Sequence, residues 1–232
     1  MGKSAFVLNI ATHVAKKEKI PVLIFNLEMG KDQLTDRIIC SDCLINSNKY
    51  RNGKLDEDDW LKLAENLGAL SEANIFIDDN SSITISEIRA KCRKMKLEEN
   101  IGLVIIDYLQ LITPSDGKGS REQEVAEISR SLKILAKELK IPVIALSQLS
   151  RANEKRGDKD KRPMLSDLRD SGNIEQDADM VLFIHREDYY QKSEKNKNIA
   201  EIIFAKFRAG EPGTEKLLWL GEFTKFANPI LD

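Results

Sequence analysis

Ile101-Gly102-Leu103-Val104-Ile105-Ile106-Asp107-Tyr108 is an almost unbroken apolar run that ends in a carboxylate. A run of this length, opened beside a glycine and rich in β-branched residues, fits a strand covered on both faces, as in the middle of a parallel sheet. Asp107 then stands at the strand's carboxyl end, the edge where open α/β sheets bind their ligands. The plainer alternative is an Asp that simply stops a strand, and the neighbouring segments decide between the two.

Two of those segments repeat the pattern. Val22-Leu23-Ile24-Phe25-Asn26-Leu27-Glu28 follows Pro21, and Val143-Ile144-Ala145-Leu146-Ser147-Gln148 follows Pro142, each a buried-strand run closed by a polar side chain. Ile75-Phe76-Ile77-Asp78 is a shorter strand. Helical periodicity fills the intervals. A helix starts at the first residues, carries Ala5, Phe6, Leu8, Ile10, Ala11, Val14 and Ala15, and ends near Lys16 to Lys19. A second runs from Lys31 to about Ile45, and a third from Asp56 to Leu70 places Trp60, Leu63, Ala64, Leu67 and Leu70 on one face. The Asn/Ser/Lys-rich stretch between these two reads as a loop. Thr84 with Glu87, and Ser120 with Gln123, are capping boxes that open two further helices. The first of these carries Ile88, Cys92 and Met95; the second is long, with Val125, Ile128, Leu132, Leu135 and Leu139 inward, and stops before Pro142.

Beyond the strand Val143–Gln148 the stretch from Arg151 to Arg162 has no apolar period and reads as a mobile loop, and Gly117 and Gly119 mark another. A polar segment from Leu165 to Asp179 leads to strand Met180–Ile184, then to a long strand Ile199–Phe207. A turn at Gly210-Glu211-Pro212-Gly213 lets Lys216–Leu220 pair back as a hairpin. Alternating strands and helices predict one α/β domain over 1–232: a three-layer sandwich with a mainly parallel central sheet and an antiparallel C-terminal hairpin at its edge.

Composition narrows the function classes. The 232 residues are 41% hydrophobic and 32% charged, enough for one sizeable core, and the formal net charge of −2 removes any argument from bulk basicity for nucleic-acid binding. No apolar run approaches a membrane span and the first residues lack a signal-peptide pattern, so a cytoplasmic protein with no membrane partner is expected. Cys40-x-x-Cys43 could suggest zinc or redox chemistry, with Cys92, His13 and His185 as the remaining soft ligands. Two half-buried thiols in a reducing compartment is the simpler account.

Gly2-Lys3-Ser4 at the start of a helix is the back half of the phosphate-loop pattern Gly-x-x-x-x-Gly-Lys-Ser/Thr. That chemistry needs backbone N–H groups at a helix N-terminus to cradle phosphates, a Lys to reach the β and γ phosphates, and a hydroxyl on Mg²⁺. Asp107 then gains a partner, because such a site pairs the loop hydroxyl with a strand-end Asp on the same metal. Glu28 could activate the attacking water, and the Gln148 amide could sense the γ-phosphate. Three polar side chains at three strand ends carry more weight than any one of them, and together they predict a nucleoside triphosphate-hydrolysing site with Mg²⁺.

At this point the chain resembles a known family, the hexameric replicative DNA helicases of the bacterial DnaB type within the RecA-like ATPases, nearly end to end. Asn26-Leu27-Glu28-Met29 is similar to the family's glutamate motif, Val104 to Leu111 to its Walker B strand, and Ile144 to Arg151 to its third helicase motif. Ser166 to Asp179, containing Arg169-Asp170-Ser171-Gly172, is the most specific stretch and resembles the family's DNA-contacting loop. The resemblance implies that Arg169, Asp170, Ser171 and Gly172 touch single-stranded DNA, with Asp170 standing where Glu is more usual. It implies that the nucleotide is ATP, that Lys206 and Arg208 reach the neighbouring subunit's ATP site, and that Arg37 lies against the nucleotide base.

The same resemblance implies a homo-hexamer working with a primase and a helicase loader. The family's N-terminal helical domain, linker helix and first half of the phosphate loop are not among the 232 residues, so a fragment that binds ATP poorly by itself is expected. Two alternatives stand beside the helicase motor: another RecA-like DNA-dependent ATPase, and a helicase-like module that only assembles a ring or recruits a loader or primase.

Overall fold

The computed structural model describes residues 2–114, 119–149, 161–171, 173–190 and 196–229, excluding the side chains of 169–171. Most of the loop expected over 151–162 lies outside the described residues, as does Gly117.

Four parallel strands form the first sheet: β1 (Val22–Asn26), β2 (Ile75–Asp78), β3 (Leu103–Asp107) and β4 (Val143–Ala145), in the order β2-β1-β3-β4. Every residue of β1 and of β3 is buried, as their unbroken apolar sequences require. Alternate side chains leave the sheet on opposite sides. Leu23, Phe25, Val104 and Ile106 pack with Ile85, Ile88 and Cys92 of α5 (Ile85–Glu98) and with Ile128, Leu132 and Leu135 of α6 (Arg121–Leu139). Val22, Ile24, Leu103 and Ile105 pack with Val7, Leu8, Ala11 and Ala15 of α1 (Lys3–Lys16) and with Leu34 and Ile38 of α2 (Lys31–Cys43). This is the expected three-layer arrangement. Each fully buried large side chain contributes about 1.5–3 kcal/mol relative to exposure. Gly102 allows the chain entering β3 to pass close to the α1–β1 connection, since a Cβ there would stand 2.3 Å from Ile20 Cγ2.

The C-terminal strands form a second, wholly antiparallel sheet: β5 (Met180–His185), β6 (Ile199–Phe207), β7 (Gly213–Leu220) and β8 (Lys225–Ala227), in chain order. The expected hairpin is its β6–β7 pair. That pair belongs to a four-stranded antiparallel sheet, because β5 also pairs antiparallel with β6, and among the described residues no strand pairing joins it to the parallel sheet. Helix α1 joins the halves: its Ala5 and Phe6 pack with Ile184, Ala200, Trp219 and Phe226, while its later turns cover the parallel sheet. Asn9 ties the joint, accepting from the Phe226 N–H at 2.7 Å and donating to Ser41 Oγ at 2.7 Å.

Two local expectations change, and one segment gains detail. The Asn/Ser/Lys stretch contains α3 (Ser47–Arg51), which forms because the Asn46 side chain accepts from the N–H groups of Asn48 and Lys49. In α4 (Glu57–Ser71) Trp60 is 61% exposed and Leu67 38% exposed. The helix is rotated so that Asp59 and Leu63 are buried, because the face it covers is the small cluster of Cys43, Ile45, Ile39, Tyr50 and Leu55, and because Asp59 pairs with Lys49. The polar stretch 165–179 holds a 3-10 segment (Leu165–Ser171) and the single turn α7 (Ile174–Asp177).

Candidate nucleotide site

Helix α1 opens at Gly2, whose backbone is left-handed (φ 98°), and a Cβ there would meet the Phe226 ring at 3.0 Å. Glycine therefore meets two demands at once, a conformation that L side chains resist and contact with β8. The first residues of α1 lie at the carboxyl end of the parallel sheet. Lys3 Nζ donates to the Ser147 carbonyl at 3.0 Å and stands 6.0 Å from the Tyr108 ring centroid. Burial lowers the Lys3 pKa, while the charges of Asp107 and Glu28 oppose that shift.

Asp107 is the last residue of β3 and pairs in register with Asn26, the last residue of β1. Its carboxyl accepts a hydrogen bond from the Ser4 hydroxyl. Burial pushes its pKa up, with the charge of Glu28 adding to the rise; the Ser4 hydrogen bond and the charges of Lys3 and Arg37 pull it down. Four of the residues singled out from sequence, Lys3, Ser4, Glu28 and Arg37, thus act electrostatically on a fifth.

Two strand ends differ from expectation by a few residues. β1 stops at Asn26, and the exposed Glu28 sits in a turn held by Asn26, whose Oδ1 accepts from the N–H groups of Glu28 at 3.1 Å and Met29 at 2.8 Å. β4 stops at Ala145, and the exposed Gln148 lies beyond it. The chain leaves β3 through a cis Asp107–Tyr108 peptide into a 3-10 turn at Leu109–Leu111.

The donor set fits Mg²⁺. A buried carboxylate whose pKa is raised lacks positive charge, and the Ser4 hydroxyl in contact with it is a second hard oxygen ligand. Mg²⁺ is commonly held by one or two protein oxygens beside water and phosphate, without a protein cage. Among the described residues no group of three or more His, Cys, Asp or Glu could enclose a metal, and Cys40, Cys43 and Cys92 are buried free thiols. Burial pushes Cys92 up to about 12 and Cys40 to about 11, which leaves them unreactive.

Lys206 and Arg208 lie away from this edge. Lys206 Nζ donates to the carbonyl of Glu175 at 2.5 Å, and Arg208 donates to the carbonyl of Gln176 at 2.9 Å and to Asp179 Oδ1 at 3.4 Å. Both cations hold the end of the Ser166–Asp179 segment. The side chains of Arg169, Asp170 and Ser171, and all of Gly172, lie outside the described residues. Sequence reading gave no role to Gln110, Ser147 or Asn26, although all three lie inside the quoted motifs. Gln110 Nε2 donates to Ser147 Oγ at 2.9 Å, and Asn26 is 1% exposed with its Nδ2 unpartnered among the described residues.

A parallel sheet that gathers its ionisable side chains at one edge, against the N-terminus of the first helix, is the architecture of a RecA-like nucleotide-binding domain. Comparison with known proteins narrows that class. The family model of the DnaB-like helicase C terminal domain matches residues 1–228. The chain is 56% identical over 229 residues to the replicative DNA helicase DnaB of Geobacillus stearothermophilus, covering 98% of this chain and 50% of the relative. It is 55% identical over 229 residues to the replicative DNA helicase DnaC of Bacillus subtilis, again covering 98% and 50%. A solved DnaB-like replicative helicase, described with its interactions with primase, superposes with a TM-score of 0.93 at 42% identity, over 99% of this chain and 55% of that one. The chain belongs to the DnaB-like helicase C-terminal domain family. It spans about half the length of the curated relatives it matches.

Proposed function

We propose that the domain is the ATP-hydrolysing motor of a replicative DNA helicase, coupling hydrolysis at subunit interfaces to translocation on single-stranded DNA and duplex unwinding. The observation that carries this reading is the convergence of Lys3, Ser4, Glu28 and Arg37 on the buried Asp107. Lys3 leaves the Ser147 carbonyl to bind phosphate, and Gly2, Lys3 and Ser4 line the phosphates at the start of α1. Ser4 and Asp107 hold Mg²⁺, which when bound supplies charge neutralisation at the phosphates. Glu28 orients and deprotonates the attacking water from its exposed turn, and Gln148 relays the state of the γ-phosphate. Arg37 contacts the nucleotide.

Arg169, Asp170, Ser171 and Gly172 grip the DNA backbone, a contact tolerant of sequence and sensitive to salt. Lys206 and Arg208 complete the site of the adjacent subunit in a homo-hexamer, where a cation of this kind can raise turnover by about 10³ to 10⁵. The primase interactions described for the solved relative support primase as a partner, with a helicase loader beside it.

A strand-displacement assay on the full-length helicase that carries this domain tests the reading. The wild type is expected to unwind a forked duplex only with ATP and Mg²⁺, and Asp107→Asn to lose at least about 10²-fold of that activity. Ring assembly and primase binding without ATP-dependent unwinding would leave the interaction-module alternative instead.

A further inference from the structure

The geometry points to Gln110 as the positioning residue that holds the peptide after β4 while Lys3 changes partners, and so passes the DNA signal to the nucleotide site. This rests on the ATPase reading above. Gln110 lies three residues after Asp107, in the turn at Leu109–Leu111. Its carboxamide brackets residue Gln148: Nε2 donates to Ser147 Oγ at 2.9 Å and to the Gln148 carbonyl at 3.4 Å, and Oε1 accepts at 3.3 Å from the Gln148 N–H, the N–H of the Ser147–Gln148 peptide. One side chain thereby satisfies both backbone groups of Gln148, as a neighbouring strand would. It does so where the ladder has just ended, since the last backbone links are Leu146 N–H to the Ile106 carbonyl and Leu109 N–H to the Leu146 carbonyl. The base of the clamp is itself fixed by Arg121, the first residue of α6, whose guanidinium donates to the Gln110 carbonyl.

The other side of the same peptide is tied to the nucleotide site by Lys3, through the Ser147 carbonyl at 3.0 Å. An ammonium drawn to phosphate gives up that carbonyl, and the peptide is then held by the Gln110 amide. Without the clamp, hydrolysis still has Lys3, Ser4, Asp107 and Glu28. What it loses is a fixed position for Gln148, the exposed side chain to which the proposed function gives the relay of the γ-phosphate state.

The experiment is ATP turnover by the full-length helicase, with and without single-stranded DNA, for wild type, Gln110→Glu and Gln110→Ala. Gln110→Ala is expected to keep basal kcat and the KM for ATP within about twofold of wild type while the DNA-stimulated increment falls at least about 10-fold. Gln110→Glu keeps the acceptor and length but loses the Nε2 donor, and is expected between the two. A thermal midpoint unchanged within about 2 °C separates the effect from misfolding. Full DNA stimulation in Gln110→Ala, or equal losses with and without DNA, overturns the assignment. A wild type that hydrolyses no ATP overturns the motor reading itself, a different result from an active wild type whose Gln110 variants behave like it.

Discussion

In the parallel sheet, β1 and β3 bury all ten of their residues, from Val22 to Asn26 and from Leu103 to Asp107. In the antiparallel sheet, β5 alternates, with Val181 and Phe183 buried while Met180 is 40% and Leu182 37% exposed. A strand sandwiched between two helical layers has room for polar chemistry only where it ends, so Asp107 sits on its last residue and Glu28 and Gln148 just past theirs. A strand with one open face can carry charge along its length. Lys206, inside β6, and Arg208, just after it, both turn to the carbonyls around α7. The first half therefore gathers its polar groups at one edge, while the second spends Lys206 and Arg208 on the carbonyls around α7.

The sharpest way to break that comparison is to remove one large side chain from each half. Phe25 is fully buried between β1 and the α5–α6 layer, and Phe25→Ala is expected to cost about 3–5 kcal/mol in urea unfolding. Leu182→Ala, on the open face of β5, is expected to cost less than about 1 kcal/mol. Comparable losses would show that the halves are equally packed.

A smaller effect of opposite sign is expected at the strand end. Asp107 is 3% exposed and burial pushes its pKa up, so in the ligand-free protein its charge works against folding. Asp107→Asn is expected to raise ligand-free stability by about 0.5–2 kcal/mol while lowering turnover at least about 10²-fold, the usual exchange between stability and function at a buried charge. A destabilised variant would mean that the Ser4 hydrogen bond outweighs the burial of the charge.

How far the sequence revealed this follows the same division. Strands β1 and β3 were legible because burial on both faces writes an unbroken apolar run, and the caps at Thr84 and Ser120 were legible because both partners of each box lie within four residues. In the second sheet three strands were legible but only the hairpin pairing was: three residues of β8 are too few for a period to show, and no sequence signal pairs β5 with β6. Trp60 was misplaced because periodicity fixes the stripe of a helix but not which neighbour it meets. Gln110 went unassigned because its partners, Ser147 and Gln148, are more than thirty residues away and nothing local marks the contact.

The least effect is expected from the buried imidazole of the antiparallel half. His185, at the end of β5, is 8% exposed with Nδ1 unpartnered among the described residues, and its ring stacks 6.1 Å from that of Tyr190. Burial lowers its pKa from the ordinary 6.5, and the charge of Arg162 lowers it further, while those of Glu201 and Glu187 pull it up. The folded state therefore takes up its proton at lower pH than the unfolded chain does. Stability falls as pH drops through the ordinary value towards the depressed one, and is fully present above it. His185→Phe keeps an apolar ring but binds no proton, so the difference in thermal midpoint between about pH 7.5 and about pH 5.5 is expected to shrink relative to wild type. An unchanged difference would place the acid sensitivity elsewhere, and would leave the second sheet with open faces but no titrating group inside it that matters to folding.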